Sequence, residues 1–359
     1  MATNHYYGLI MAGGRGTRFW PRSRRRRAKQ VLSFTGERSL IQNTVERLRP
    51  IIPPERVWIL TSEHLRGEIV RQLPEVPQNQ ILAEPAQRNT APCVALAAQI
   101  LHSLDQDAVM GVFPADHVIA KPARFLRLLR PAFRTAAQGK MVVLGIQPRW
   151  AETGYGYIEF PKGTEAGSLK PAPVLSFREK PDPATAKKFV AAGNFCWNAG
   201  MFFWKTSTLL EAMRRYQPKT ATLLAALPSF GSREFAVKLR ETFPRCENIS
   251  IDYAVLERAV GVAGFAAGDF GWNDVGSWNA AYELAARDPD GNAAKSEAIL
   301  IDSSGTYVDA PGKLVALLGV KDLVVVDTPD ALLITTRDQS QRVGDIVKLL
   351  EKKNREDLL

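Results

Sequence analysis

The 359-residue chain contains only three cysteines, Cys93, Cys196 and Cys246, which lie far apart and form no C-x-x-C pair. This spacing argues against a disulfide framework and a structural zinc site, and it is typical of proteins in a reducing compartment. The first residues lack the apolar core of a signal peptide, and no apolar run approaches the ~18 residues of a membrane span. We therefore expect a cytoplasmic protein without a membrane partner.

Acidic residues are scarcer than basic ones. The chain has 37 aspartates and glutamates against 47 lysines and arginines, so its formal net charge is +10. Five of the positive charges lie together, at Arg22 and at residues 24–27. Polyphosphate substrates explain such an excess as well as nucleic acid does. Zinc-finger, RRM and basic-zipper patterns are missing, so no nucleic-acid partner is expected. A nucleic-acid binder that uses the arginine run, and a merely solvated basic face, are the alternatives.

The glycine-rich stretch at residues 9–29, LIMAGGRGTRFWPRSRRRRAK, lacks two familiar signatures. No Gly-Lys-Ser/Thr follows the glycines, which excludes a Walker loop, and Phe19 stands where the dinucleotide motif needs its third glycine. The stretch still predicts a buried strand and then a turn whose backbone N–H groups can approach an anion. Arg15, Arg18 and Lys29 would then neutralise phosphates. An ordinary strand-to-helix turn is the alternative.

Short apolar strands alternate with helical segments in the first part of the chain. We predict strands at residues 6–11, 57–60, 81–83, 108–113 and 141–146, and helices beginning at Ser39 and spanning 62–73, 90–104 and 122–137. Strands that are apolar on both faces, with helices between them, predict an α/β fold with a Rossmann-like, mostly parallel sheet flanked by helices. Ligands bind such sheets at the carboxyl ends of the strands, where the glycine-rich turn, residues 84–90 and Asp116 all fall.

The pattern changes after residue 150 and again after residue 295. Longer alternating strands are predicted at 155–160 and 174–179, an aromatic strand at 195–204, and helices at 206–227 with a break at Pro218, 232–242, 249–260 and 277–287. Beyond residue 295, short strands about ten residues apart predict a small all-β module that ends in a helix over 341–353. We expect one domain over 1–290, with halves 1–150 and 151–290, and a C-terminal module over 291–359.

Two aspartates follow predicted strand ends, Asp116 after 108–113 and Asp274 within GWNDVG. A hard divalent cation such as Mg²⁺ binds a few carboxylates and keeps its other positions for water and phosphate oxygens. The two aspartates are therefore candidate metal ligands. For either one alone, a helix cap or a turn residue is the alternative.

Lys180 ends the strand predicted at 174–179. Pro181 is expected to keep the backbone of Lys180 extended, so that its ammonium projects from the strand end toward a phosphate. Glu179 and Asn198 offer acceptors for sugar hydroxyls.

Taken together, these motifs resemble those of the mannose-1-phosphate guanylyltransferases (GDP-mannose pyrophosphorylases) of the sugar-nucleotidyltransferase superfamily. The resemblance lies in eight segments that come in the family's order: GGRGTRFWPRS at 13–23, EPAQRNTAP at 84–92, FPADHV at 113–118, GYGYIE at 154–159, FREKP at 177–181, WNAGMF at 197–202, SIDYAVLE at 250–257 and GWNDVGSW at 271–278. It implies a fold of the nucleotide-diphospho-sugar transferase type, with the nucleotide bound by the first half of the domain and the sugar phosphate by the second.

The resemblance implies transfer of GMP from GTP to α-D-mannose 1-phosphate, giving GDP-mannose and pyrophosphate, with Mg²⁺ or another divalent cation such as Mn²⁺. The residues implied for nucleotide binding are Ala12, Gly13, Gly14, Gly16, Thr17, Arg18, Lys29, Glu84, Arg88, Asn89, Thr90 and Asp116. Those implied for the sugar phosphate are Gly156, Glu179, Lys180, Asn198 and Asp252. The metal would lie on Asp116 and Asp274, and the catalytic residues would be Arg18, Lys29, Lys180, Asp116 and Asp274. A homodimer is implied as well.

Two other functions stay open: the same chemistry on another hexose or a heptose 1-phosphate, and a catalytically silent nucleotide-sugar sensor. A fused isomerase domain is not expected. The opening signature departs from the family pattern, with Ala28 in place of proline, Arg22 and Phe19 in place of leucines, and Val31 in place of phenylalanine. The loss of the proline is expected to loosen the backbone ahead of Lys29.

Overall fold

The computed structural model describes residues 5–34 and 36–359 as an α/β domain followed by a coil of short strands. The strands of this part of the chain are β1 (Tyr6–Ala12), β2 (Val57–Ser62), β3 (Ile81–Glu84), β4 (Val109–Pro114), β5 (Val118–Ile119), β6 (Val142–Ile146), β7 (Tyr157–Glu159), β8 (Ala172–Pro173), β9 (Ser176–Arg178), β10 (Phe195–Lys205), β11 (Ala263–Ala267), β12 (Trp272–Asn273), β13 (Ala293–Ala294), β14 (Ala298–Ile301), β15 (Tyr307–Asp309), β16 (Val315–Leu318), β17 (Leu323–Thr328) and β18 (Ala331–Thr336).

The helices alternate with these strands through most of the domain. They are α1 (Leu40–Leu48), α2 (Glu63–Gln72), α3 (Thr90–Leu104), α4 (Pro122–Ala137), α5 (Pro183–Ala192), α6 (Thr206–Tyr216), α7 (Pro218–Ala225), α8 (Phe235–Thr242), α9 (Trp278–Leu284) and α10 (Val343–Lys352). Among the described residues, no helix has the length and apolar character that crossing a membrane requires.

The central sheet has the strand order β3-β2-β1-β4-β10-β6-β11-β8, with β7 and β9 attached beside β10. Its pairs β1–β2, β1–β4, β2–β3 and β6–β11 are parallel, which confirms the predicted mostly parallel sheet. The aromatic strand β10 is inserted antiparallel between β4 and β6. This insertion brings the second half of the domain onto the same sheet as the first.

Local signals set the helix ends at the predicted places. The Ser39 backbone N–H donates to Gln42 Oε1 at 2.9 Å and the Gln42 N–H donates to Ser39 Oγ, so α1 begins with a complete capping box. Asn89 Oδ1 accepts from the N–H of Thr90 at the start of α3. Proline stands in the first turn of α4 and of α7, where its missing N–H costs nothing.

Several elements differ from the sequence predictions. The strands expected at 155–160 and 174–179 are reduced to the three-residue strands β7 and β9. Tyr155 lies outside β7 and donates its hydroxyl to Asp274. The helix expected over 249–260 is a single π-helical turn at Asp252–Leu256. Helix α5 and strand β11 were not predicted.

Apolar cores lie on both faces of the sheet. Adjacent residues of β1 point to opposite faces, so Ile10 belongs to the core under α1, α2 and α4 and Leu9 to the core under α3, α6 and α7. A third core joins the glycine-rich turn to the C-terminal coil. In it the Phe19 ring lies 4.7 Å from Phe34 and 5.0 Å from Trp278, and Trp278 lies 5.8 Å from Tyr307.

The C-terminal coil is built from stacked parallel strands. β13, β15 and β17 pair in parallel, β14 pairs in parallel with β16, and β18 closes the coil antiparallel to β17. Helix α10 follows. The prediction of a small all-β module with a terminal helix is therefore confirmed, with parallel stacking as the added feature.

The arginine run holds this C-terminal coil against the domain. Arg22 pairs with Asp309, Arg24 with Asp330 at 2.8 Å, and Arg25 with Glu356. These three guanidinium groups therefore neutralise acidic side chains of the chain itself. The next two arginines of the run, residues 26 and 27, are exposed, in agreement with the alternative of a solvated basic face.

Candidate functional site

The turn after β1 is wedged against the segment that begins at Lys29. Gly16 has a φ of +61°, and a Cβ there would lie 2.6 Å from Lys29 Cβ and 2.9 Å from the Lys29 nitrogen. The buried Gln30 side chain donates through Nε2 to the carbonyls of Ala12 at 2.5 Å and Gly14 at 3.1 Å. Glycine is therefore required at position 16, where no side chain would fit.

This turn forms one wall of a cavity of about 930 Å³ at the carboxyl ends of β1, β3 and β4. Three chain segments converge there, as the sheet geometry predicts. The sequence-predicted residues that line the cavity are Ala12, Gly13, Gly14, Gly16, Thr17, Arg18, Glu84, Asn89, Thr90 and Asp116.

Two residues implied for nucleotide binding do not line this cavity. Arg88 donates through Nη2 to the carbonyl of Pro244. Lys29 is nearly buried, with its side chain 8% exposed, and its ammonium donates to Asp116 Oδ2 at 2.8 Å and to the Asp274 carbonyl at 2.6 Å. Lys29 therefore joins the two candidate metal residues behind the cavity wall.

A short antiparallel ribbon places the two aspartates beside each other. β5 pairs with β12, so Val118 lies opposite Asn273 and Ile119 opposite Trp272. Asp116 precedes the first strand of the ribbon by two residues, and Asp274 directly follows the second. The Asp274 carboxylate is held in turn by the Tyr155 hydroxyl, which donates to Oδ1 at 2.7 Å.

Ala28, which stands where the family pattern has proline, adopts a backbone conformation that proline can also adopt. Ala28 is buried and has φ −71° and ψ 167°, angles that proline also adopts. The loosening of the backbone ahead of Lys29 stays a prediction.

The charge states around Asp116 follow from its neighbours. Burial is the largest single effect on the pKa of Asp116 and would raise it, but the Lys29 ammonium and further neighbours together outweigh burial, so the net shift is downward. Burial lowers the pKa of His117 to about 4. His117 Nδ1 lies 3.2 Å from Trp272 Nε1 and accepts its hydrogen, as a neutral ring can. At neutral pH the site thus holds an ionised Asp116 beside an uncharged imidazole.

Glu84 presents a carboxyl group beneath the turn. Burial raises its pKa to about 7, and the Cys93 thiol donates to Oε1 at 3.5 Å. A Cβ on Gly13 would lie 3.1 Å from the same oxygen, so the glycine leaves room for this acceptor. Glu84 therefore titrates near neutral pH at the floor of the cavity.

A second cavity, of about 220 Å³, adjoins the first and shares Met11, Thr90 and Pro114 with it. The sequence-predicted residues among its lining are Gly156, Glu179, Asn198, Asp252 and Asp274. These side chains supply several oxygen acceptors close together.

Carboxyl groups in the second cavity affect one another. Asn198 Nδ2 donates to Asp252 Oδ1 at 3.0 Å, and the Glu179 N–H donates to Glu257 Oε1 at 2.8 Å. Burial, and then the charge of Asp252, raise the pKa of Glu179 to about 7. The cavity suits a ligand rich in hydroxyl donors.

Lys180 differs from its sequence prediction. Its φ is +45°, so the expectation that Pro181 keeps the residue extended is wrong. The side chain is 60% exposed, and Nζ lies 3.6 Å from Glu179 Oε1. Lys180 is thus at the rim of the second cavity and is not among the residues that line it.

One wall of the large cavity consists of residues that no sequence motif indicated. This wall belongs to α10 and the turn before it, and it consists of Gln341, Gly344, Asp345, Val347, Lys348 and Glu351. Arg15 donates to Glu351, and Arg18 Nη1 donates to Gln341 Oε1 at 2.7 Å. The only signal in the sequence is the mixed charge of an amphipathic helix, which a solvent-facing helix shows as well.

Comparison with known proteins agrees with this arrangement. The family model described as nucleotidyl transferase matches residues 7–291. The chain belongs to the nucleotidyl transferase family. A second model, described as a MannoseP isomerase/GMP-like beta-helix domain, matches residues 296–350, where the parallel coil lies.

Relatives of this nucleotidyl transferase carry more specific names. The mannose-1-phosphate guanylyltransferase of Escherichia coli K12 is 38% identical, over 99% of this chain and 76% of the relative. The alginate biosynthesis protein AlgA of Pseudomonas aeruginosa is also 38% identical, over 97% of this chain and 73% of the relative. These names confirm the family resemblance found in the motifs.

A solved structure from Thermus thermophilus, titled "mannose-1-phosphate geranyltransferase", matches the nucleotidyl transferase with a TM-score of 0.84 and 33% identity. The match covers 97% of this chain and 99% of the other. A match over this share of both chains extends into the C-terminal coil.

Gly16→Ala should destabilise the protein by about 1–3 kcal/mol, because the new Cβ must displace Lys29 in an already packed site. Gly14→Ala is the matched control, since a Cβ there has no atom within 4 Å, and it should cost less than about 0.5 kcal/mol. Urea denaturation of both variants measures the difference. Equal losses of stability in the two variants would contradict the close packing of Gly16 against Lys29.

Proposed function

We propose that the protein transfers GMP from GTP to α-D-mannose 1-phosphate, giving GDP-mannose and pyrophosphate. The observation that carries the proposal is the position of the Asp116–Lys29–Asp274 group, with Asp116 on the large cavity and Asp274 on the adjoining smaller one. Relatives named mannose-1-phosphate guanylyltransferase, 35–38% identical over nearly the whole chain, support the choice of substrates. We assign GTP to the large cavity and the sugar phosphate to the small one.

The reaction needs no general base, because the nucleophile is a phosphate oxygen that is already anionic. This oxygen of mannose 1-phosphate attacks the α-phosphorus of GTP. The bond from that phosphorus to the α–β bridging oxygen breaks, and pyrophosphate leaves with the electron pair. The protein must bring two anions together, so positioning and neutralisation of charge are its main contributions.

The residues of the large cavity suit these tasks. Backbone N–H groups of the turn at residues 13–18, with Arg15 and Arg18, are assigned to the phosphates of GTP. Glu84 is assigned to the N1 and N2 donors of guanine. Lys29 is assigned to holding Asp116 and Asp274 in place, since its ammonium is already satisfied by them.

The small cavity is assigned to mannose 1-phosphate. The oxygens of Glu179, Asn198 and Asp252 would accept hydrogen bonds from sugar hydroxyls, and Gly156 gives the ligand room. Lys180, at the rim with an exposed ammonium, is assigned to steering the incoming phosphate.

Nucleotidyl transferases generally use a divalent metal, and we propose Mg²⁺ for this protein. The two carboxylates fit a hard cation whose other positions are taken by water and phosphate. Within the described residues, no group of three or more His, Cys, Asp or Glu side chains is placed to hold a metal ion. When bound by Asp116 and Asp274, the cation would supply polarisation of the α-phosphoryl oxygen.

Release of pyrophosphate from GTP with Mg²⁺ and mannose 1-phosphate is the direct test. We expect release with this pair, and at least tenfold less with ATP, UTP or dTTP or with glucose 1-phosphate, because unpaired groups at the base or sugar cost about 1.4 kcal/mol or more. Release of pyrophosphate from GTP with a different sugar 1-phosphate would change the assigned sugar and leave the proposed reaction unchanged. A protein that binds GTP and releases no pyrophosphate with any sugar phosphate would be the silent sensor and would contradict the proposal.

The affinity for GTP should fall as the pH drops below about 7. Burial raises the pKa of Glu84 to about 7, and only the ionised carboxylate can accept from both guanine donors, so protonation removes the competent form. The loss approaches tenfold per pH unit below that pKa. Equilibrium binding of GTP between pH 5 and 8 measures it.

Glu84→Gln is the control for this pH dependence. The variant should bind GTP more weakly at pH 8 and should show only the pH dependence that titration of GTP itself causes. A wild-type protein and variant with parallel pH profiles would exclude Glu84 as the base-reading acceptor.

We further propose that the protein is a homodimer and that the domain boundary lies at residue 290, as expected from the sequence. Exposed apolar side chains on the C-terminal coil support a self-association face, with Ile301, Leu318 and Ile334 exposed by 53%, 71% and 61%. The matched ranges 7–291 and 296–350 support the boundary. Sedimentation velocity should give the mass of two chains, and a single-chain mass at micromolar concentration would contradict the dimer.

A further inference from the structure

Helix α10 approaches the glycine-rich turn closely enough to share its arginines. A Cβ on Gly344 would lie 3.4 Å from Thr17 Oγ1 and 3.8 Å from Arg18 Cγ, so the first turn of the helix packs directly on the loop. Farther along, Glu351 accepts from Arg15, and Gln341 before the helix accepts from Arg18. The two arginine side chains that face the large cavity are thus both bound to C-terminal acceptors.

The Arg15–Glu351 pair is placed where an anionic ligand would compete with it. Both residues line the large cavity. The side chains of Arg15 and Glu351 are 40% and 33% exposed, so solvent reaches the pair. An anionic ligand can therefore replace Glu351 on Arg15 without disturbing an apolar core. A carboxylate and a phosphate oxygen make the same kind of bond to a guanidinium group.

We propose that Glu351 occupies on Arg15 the place of a terminal phosphate of the nucleotide, so that binding of the triphosphate must break this ion pair. The inference rests on the proposed function, which assigns Arg15 to the phosphates. Glu351 is then an intramolecular competitor for the phosphate chain. Through this competition, Glu351 makes the C-terminal helix a determinant of nucleotide affinity.

Loss of the contact between Glu351 and Arg15 should strengthen the binding of GTP. E351Q should bind GTP about two- to fivefold more tightly than the wild type, the range that a partly exposed ion pair allows. Guanosine, which has no phosphate, should bind both proteins equally. Isothermal titration of the full-length chain with GTP and with guanosine measures both effects.

Two comparisons separate this competition from a general change of charge. E356Q also removes one negative charge, but from the ion pair that Glu356 makes with Arg25 of the arginine run. Neither residue of this pair lines the large cavity. E356Q should leave the GTP affinity within about 1.5-fold of wild type, since the surface pair it breaks is worth little. In an Arg15→Gln background, E351Q should lose most of its gain.

Several results would overturn the inference. GTP binding to E351Q that is unchanged or weaker than wild type would show a structural role for Glu351, and an equal gain with guanosine would show a change unrelated to phosphate. Both leave the proposed function standing. A wild-type protein that binds no GTP would overturn the proposed function and this inference together.

Discussion

The ammonium group of Lys29 holds together the two segments of the site that carry Asp116 and Asp274. It bonds the Asp116 carboxylate after β4 and the Asp274 carbonyl after β12, two segments brought together by the β5–β12 ribbon. A nearly buried charge requires such partners, because desolvation would otherwise cost several kcal/mol. Its position also excludes any side chain at Gly16, so the shape of the glycine-rich turn depends on the same contact.

The parts of the fold that could be predicted are those with local causes. Capping at Ser39, prolines in the first turns of α4 and α7, and apolar runs at β1 and β4 each act within a few residues, so the sequence shows them directly. Convergence of the glycine-rich turn, Glu84 and Asp116 on one cavity follows from a general property of parallel sheets, and it could be predicted without knowing the strand order.

The parts that could not be predicted depend on contacts between distant segments. Strand β10 lies antiparallel between β4 and β6, and its own sequence does not specify which strands it pairs with. Lys180 adopts a positive φ, against the extended form favoured before proline. The contact of Arg15 with Glu351 joins residues 336 positions apart, and an amphipathic helix alone does not reveal which surface it covers.

Two of the residues that depart from the family's opening signature, Phe19 and Arg22, have their partners elsewhere in this chain. Phe19 packs edge-on against Phe34 and Trp278, and Arg22 pairs with Asp309 of the C-terminal coil. A chimera that carries only residues 13–31 of this protein into a relative would therefore bring half of each contact, an aromatic ring without its neighbours and a guanidinium without its carboxylate. An exchange between such enzymes that keeps these contacts needs the signature together with Phe34, α9 and the C-terminal coil.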